Sequence, residues 1–203
     1  NGVSQLGDSY FLGDENGNLW SVSKTGAIES RNMEIGKIRH APLVFGDKLL
    51  IHGQGLSSSK IILVNTSDFS FELISTSGPS PGIPLSIGQT VITTDLDNLG
   101  LFQCTQSCIK LDQHPFISNG ESSIIQDNKI MLPKNTADGG WGIFSINNNS
   151  TVEFEGLFST INDWYGTSAP EYMSNDELEI LVLANDNGIL EVYINHHEIV
   201  IEQ

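Results

Sequence analysis

A two-residue polar turn between short apolar segments returns five times along this 203-residue chain. The turns are Gly7-Asp8, Gly46-Asp47, Gly88-Gln89, Gln126-Asp127 and Asn175-Asp176, at steps of 39, 42, 38 and 49 residues. Turns of this kind join antiparallel strands, and a period of about 40 to 50 residues is that of a four-stranded propeller blade. Strand A precedes each turn, with three examples opening near Pro42, Pro84 and Pro170. Proline is tolerated at a strand's first positions and not in the middle of a sheet. Strand B follows the turn, and strands C and D complete the unit. The expected fold is therefore all-β: a propeller of four-stranded antiparallel blades over residues 1–203, with blades near 1–35, 36–78, 79–117, 118–161 and 162–203.

Patterning within the strands supports stacked blades. Lys60-Ile61-Ile62-Leu63-Val64 is apolar at successive positions, as expected when both faces of a sheet are covered. Phe69 to Ile74 and Glu198 to Gln203 alternate polar and apolar residues, as expected for an outer strand with one face nearer water. No helical period persists over ten residues. Five blades fit a closed ring, the preferred form, since propellers carry about four to eight. A five-blade section of a larger ring is the alternative.

Charge narrows the partners. The chain carries 25 acidic residues against 9 Lys plus Arg, a formal net charge of −16. Such a surface repels phosphate backbones and anionic lipid, so neither nucleic acid nor membrane insertion is expected. No run of 18 apolar residues is present. The chain begins with Asn1 and shows no signal peptide, which suggests a processed or excised product. Cys104 and Cys108 flank a three-residue loop where strand C passes to strand D. A disulfide is expected there, ahead of free thiols and of a metal or redox role. A disulfide in turn favours an extracellular or cell-surface location.

The segments DENGNLWSVSKTG (residues 14–26) and DNGILEVY (186–193) resemble the PQQ-like, or quinoprotein-type, propeller repeat. In that repeat a strand is followed by Asp-x-Gly, an aliphatic-aromatic strand and a Thr-Gly turn. The likeness is best over residues 8–28 and 40–53, fair over 168–193, and a matter of spacing elsewhere. The repeat's Trp after the Thr-Gly turn is replaced by Ala27-Ile28-Glu29-Ser30, and there is no adjacent pair of cysteines. The resemblance thus implies a propeller used as a binding or assembly platform, with no quinone and no other cofactor expected.

Candidate site residues come from loops. The fourth step is long, and its surplus contains Asp163, Trp164 and Tyr165. Trp141 is expected on a B-to-C turn; Arg39 and His40 on one D-to-A loop; His114 on another. These connections open at one end of a propeller, and aromatic faces beside hydrogen-bonding groups suit a protein or carbohydrate ligand. The competing reading makes Trp164 and Tyr165 a plug of the central channel. Asp14-Glu15-Asn16-Gly17, Asp95-Leu96-Asp97-Asn98 and Asp186-Asn187-Gly188 could suggest calcium, but self-capped turns explain them more simply, and no metal site is expected. His52 is expected as a satisfied core residue. No Gly-x-Ser-x-Gly or phosphate loop is present. The expected role is a non-enzymatic binding or scaffold protein, acting within a larger assembly. The alternative is a small glycoside-active enzyme using carboxylates near Glu121, Asp163 and Glu171.

Overall fold

The computed structural model describes the chain except residues 1, 79–81, 106, 119, 127, 136–138, 148–150, 159–167, 176, 185–187, 196 and 202–203. The described residues contain twenty strands and no helix. The first sheet holds β1 (Val3–Leu6), β2 (Ser9–Gly13), β3 (Asn18–Ser23) and β4 (Ile28–Asn32). The second holds β5 (Leu43–Phe45), β6 (Lys48–Gln54), β7 (Ser59–Asn65) and β8 (Phe71–Ser77). The third holds β9 (Leu85–Ile87), β10 (Thr90–Thr94), β11 (Asn98–Cys104) and β12 (Cys108–Pro115). The fourth holds β13 (Ser123–Gln126), β14 (Lys129–Pro133), β15 (Trp141–Ile146) and β16 (Val152–Phe158). The fifth holds β17 (Glu171–Ser174), β18 (Glu179–Ala184), β19 (Leu190–Ile194) and β20 (His197–Ile201). In every sheet the strands lie in sequence order, joined by hairpins. Each A-to-B turn that opens with glycine uses a left-handed residue, with φ of 59° at Gly7, 61° at Gly46 and 58° at Gly88. A side chain there would meet the carbonyl, which is why the sequence spends glycine at these places.

Pro42, Pro84 and Pro170 each stand one residue before an A strand, so none removes a ladder hydrogen bond. β5 and β9 are three residues long, shorter than the sequence implies.

Packing divides the chain into two compact units, Asn1–Thr93 with Phe102–Lys110, and Thr94–Leu101 with Leu111–Gln203. In the first unit the second sheet is covered on both faces. Leu49, Ile51, Ile62 and Val64 join Phe11 and Leu19 of the first sheet in one cluster. Leu50, Ile61 and Leu63 join Val91, Phe102 and Cys104 of the third in another. The consecutive apolar residues of β7 are thus split between two cores by the two-residue period of the strand.

A D-to-A connection forms a wedge between the first two sheets. Met33, Ile35 and Ile38 are buried to 0–4% exposure. Lys37 exchanges two backbone hydrogen bonds with Gln54, and the amides of Met33 and Ile38 donate to the carbonyls of Gly17 and Asp14. Gly13 and Gly53 face this wedge, and a Cβ on either would collide with Ile38 or Ile35.

Outer strands differ from the expected alternation. In β8 the apolar Phe71 and Leu73 are 44% and 51% exposed. Glu72 turns inward, and its Oε1 accepts a hydrogen bond from the Cys108 amide at 2.9 Å. A β-bulge then interrupts the strand: Ile61 pairs with Ser75 and Ile62 with Leu73, so Ile74 is the extra residue. The same rung is bulged in the fourth sheet, where Ile143 pairs with Gly156 and Phe144 with Phe154, leaving Glu155 extra. Cys104 and Cys108 form a disulfide, with Cα atoms 4.1 Å apart, where β11 turns into β12.

Candidate functional site

The residues singled out in the sequence meet different fates. Asp163, Trp164 and Tyr165 lie outside the described residues. Trp141 is not on a turn: it opens β15, pairs with Pro133 and Phe158, and is 1% exposed. Its indole joins Ile125, Met131 and Leu183 in the core of the second unit. The apolar payload of the ring outweighs its position after a glycine pair. His114 is not on a loop either. It lies in β12, with its ring 5.2 Å from Phe144 and 5.9 Å from Phe154, inside an aromatic layer that also holds Phe116. Arg39 is on a D-to-A loop as expected, but its guanidinium grips Glu15 through Nε at 3.0 Å and Nη2 at 3.3 Å. Lys37 binds the same carboxylate at 3.0 Å. Those hydrogen bonds, from Arg39 first, hold the Glu15 carboxyl below its usual range. His40, beside it, reaches a cavity in the first unit. Arg39 and His40 belong to the first unit, Trp141 and His114 to the second.

Acidic turns are consumed by their own backbone. Asp14 accepts from the amides of Asn16 and Asn18, from Asn18 Nδ2 and from Trp20 Nε1, at 2.8–3.0 Å. Burial pushes its pKa up, and the four hydrogen bonds together pull it further down, to about 2. Asp95 likewise accepts from the amides of Asp97 and Asn98. Among the described residues no group of three or more His, Cys, Asp or Glu is placed to hold a metal ion. Of the carboxylates considered for glycoside chemistry, Glu171 is exposed at the head of β17 and Glu121 precedes β13.

The second unit contains a cleft of about 220 Å³ between the fourth and fifth sheets. Its walls are Ile125, Met131 and Ile143 on one side and Tyr172, Leu181 and Tyr193 on the other, with Phe158 at the edge. Phe158 and Tyr193 meet edge to face, ring centroids 4.8 Å apart. Tyr193 donates its hydroxyl to Glu191, which is 2% exposed, at 2.8 Å. That bond fixes the ring against the wall. Three charged residues border the cleft: Lys129, Glu155 and Glu179. Lys129 Nζ pairs with Glu155 at 2.9 Å, each side chain about a third exposed. The hydrogen bond from Lys129 holds the Glu155 carboxyl below its usual range, against a weaker opposing push from burial. Glu155 is the extra residue of the β16 bulge, so the bulge decides that a carboxylate faces this cleft. The lining comes from seven strands, β13 to β19, and no local motif marks it.

No protein-family profile matches the chain, and no curated protein is detectably similar in sequence. Solved structures do match. A chain of the Saccharomyces cerevisiae complex of Dbp5 bound to Nup159, Gle1, IP6 and ADP aligns with TM-score 0.63 and 12% identity, over 100% of this chain and 61% of that one. The N-terminal domain of Nup159 aligns with TM-score 0.61 and 12% identity, over 99% and 61%. A Bacteroides fragilis protein assigned by name as a 6-phosphogluconolactonase aligns with TM-score 0.61 and 13% identity, over 98% and 67%. The chain therefore spans only about three fifths of the first two. At such low identity the likeness establishes architecture alone. Together with the five four-stranded sheets, it makes this chain a β-propeller of antiparallel blades.

Proposed function

We propose that the chain is a non-enzymatic binding scaffold that captures a protein partner in the cleft between its fourth and fifth blades. The observation that carries this reading is the cleft's size and lining: about 220 Å³, apolar within and charged at the edge. Small-molecule pockets usually span about 300–1,000 Å³, so a whole ligand is too large for it. One large apolar side chain, presented by a peptide, suits it better, in the manner of an interface anchor. A sugar would strand most of its hydroxyls against Ile143, Leu181 and Phe158. The net charge of −16, and an edge with two acids beside one lysine already paired, favour basic residues flanking the anchor.

The same reading places the chain among PQQ-like repeat propellers that serve as platforms. Support comes from the first repeat, where Asp14 closes the turn and takes the Trp20 indole hydrogen bond. It also places the protein at the cell surface or outside the cell, with the Cys104–Cys108 disulfide as support. Membership of a larger assembly accords with the solved complex in which Dbp5 is bound to Nup159 and Gle1.

Selection from a random peptide library tests this directly. The expected winners carry one Leu, Phe or Trp among Lys and Arg. Tyr172→Ala should weaken them by about tenfold or more, as for an interface anchor contact. Equal binding by wild type and Tyr172→Ala, with the fold intact, overturns the reading.

A further inference from the structure

A second cavity, in the first unit, has about twice the volume of the cleft, about 480 Å³. The A strands of the first three blades contribute to it through Ser4, Leu43 and Leu85, and β6 contributes Leu50 and His52. Most of the wall is apolar. Its polar groups are largely spent: Ser4 Oγ donates to the Pro42 carbonyl and Gln5 Nε2 to the Gly7 carbonyl. His52 differs. It is 4% exposed, and neither Nδ1 nor Nε2 has a hydrogen-bond partner. The sequence leads one to expect a satisfied core histidine there; the structure instead leaves both buried ring nitrogens without a hydrogen-bond partner. The His40 ring stacks on it, centroids 5.9 Å apart and planes 29° from parallel.

A buried imidazole without partners is costly, and nothing in the packing of β6 against β7 requires one at this position. Leu50, two residues earlier on the same strand face, shows what an apolar side chain does there: it packs into a core cluster. The cost is recovered when a bound molecule supplies the missing hydrogen bond. Its chemistry follows from the walls. Burial and the neighbouring His40 disfavour the imidazolium, so His52 offers one N–H donor and one nitrogen acceptor. A carboxylate or phosphate would bring an unbalanced charge among apolar residues. A pure hydrocarbon would leave the imidazole stranded. The volume lies inside the range of about 300–1,000 Å³ typical for small molecules.

We propose that this cavity binds a small neutral aromatic molecule of the phenol class, its ring among Leu43, Leu50, Pro42 and Pro84 and its hydroxyl on His52. His40, stacked on His52, also lines the cavity. This site is separate from the peptide cleft, and no residue is shared between them.

The test titrates the protein at pH 7.5 with 2-naphthol and, separately, with naphthalene, following the imidazole nitrogen resonances by nuclear magnetic resonance. The expected result is a saturable shift of the His52 signals with 2-naphthol, and binding of naphthalene weaker by about tenfold. In His52→Leu the preference should vanish, because the group that rewards the hydroxyl is gone. If that variant unfolds, the wild-type comparison decides by itself. An unmoved His52 signal, equal affinity for the two probes, or a preference retained in folded His52→Leu overturns the proposal. Those outcomes leave the peptide reading untouched, since Tyr172 belongs to the other unit, lines a different cavity and is probed with a different ligand.

Discussion

Single residues in this propeller do jobs that their types suggest only loosely. Asp14 looks like a cation ligand and is a turn clamp, because four donors already occupy its carboxylate. Asp14→Ala is expected to cost about 1–3 kcal/mol, the range for hydrogen bonds to a charged group. Its folded pKa of about 2 lies below the unfolded value near 3.8. The stabilisation is therefore complete above about pH 4 and lost as pH falls towards 2. Urea melts of wild type and Asp14→Ala should converge over that window. His52 titrates higher. Burial first, and His40 second, lower its pKa from 6.5 to about 4. The unfolded chain then binds the extra proton between those values, so stability is full above about pH 6.5 and declines as pH drops to 4. The loss is on the order of 3 kcal/mol for this nearly buried ring. His52→Leu should flatten that part of the profile, and a wild-type slope unchanged by the substitution would contradict the assignment.

At the scale of elements, tertiary neighbours override strand pattern. The bulges in β8 and β16 fall opposite the same rung of strand C, between Ile61 and Ile62 and between Ile143 and Phe144. Ile74 and Glu155, the displaced residues, share nothing in sequence. The bulge is a property of how the outer strand twists away, and it resets which way the residue standing there faces. The D-to-A wedge is a second such feature. Ile35 fits because Gly53 has no side chain, and a Cβ there would collide with the Ile35 carbonyl and side chain. Gly53→Ala should therefore destabilise by about 1–3 kcal/mol, the usual cost of overpacking, measurable as a shifted denaturation midpoint. The disulfide closes a very short loop, so its contribution is modest. Reduction should cost ~2 kcal/mol and leave the far-ultraviolet spectrum all-β.

For the molecule as a whole, charge sets the conditions of binding. A net charge of −16 attracts cationic segments over the Debye length, about 10 Å at 0.1 M salt. Affinity of a Lys/Arg-flanked peptide for the cleft should fall as salt rises, mainly through a slower on-rate. Binding of neutral 2-naphthol at His52 should hardly respond. A salt-independent peptide would show that the apolar anchor acts alone, without help from the charged edge. Calorimetric titrations of both probes at low and high salt separate the two sites.

The all-β class and the repeat of four-stranded blades were legible in the sequence alone. Both depend on local rules: glycine at Gly7, Gly46 and Gly88 must take a positive φ, and proline must stay out of the ladder. Such rules act over a few residues, so they can be read from a few residues. The apolar run in β7 likewise announced a strand covered on both faces, and Cys104 and Cys108 announced their bond by spacing. The sites were not legible in this way. Trp141 and His114 looked like ligand groups because each was assigned to a connecting loop, yet each lies in a strand and is drawn into packing by partners far along the chain. Only the tertiary structure could gather seven strands around one cleft, turn Glu155 into it by a bulge, and leave His52 buried without a partner. Those outcomes depend on which blades stack and where space is left between them. Burial and voids are properties of pairs of distant segments, and no local pattern encodes them.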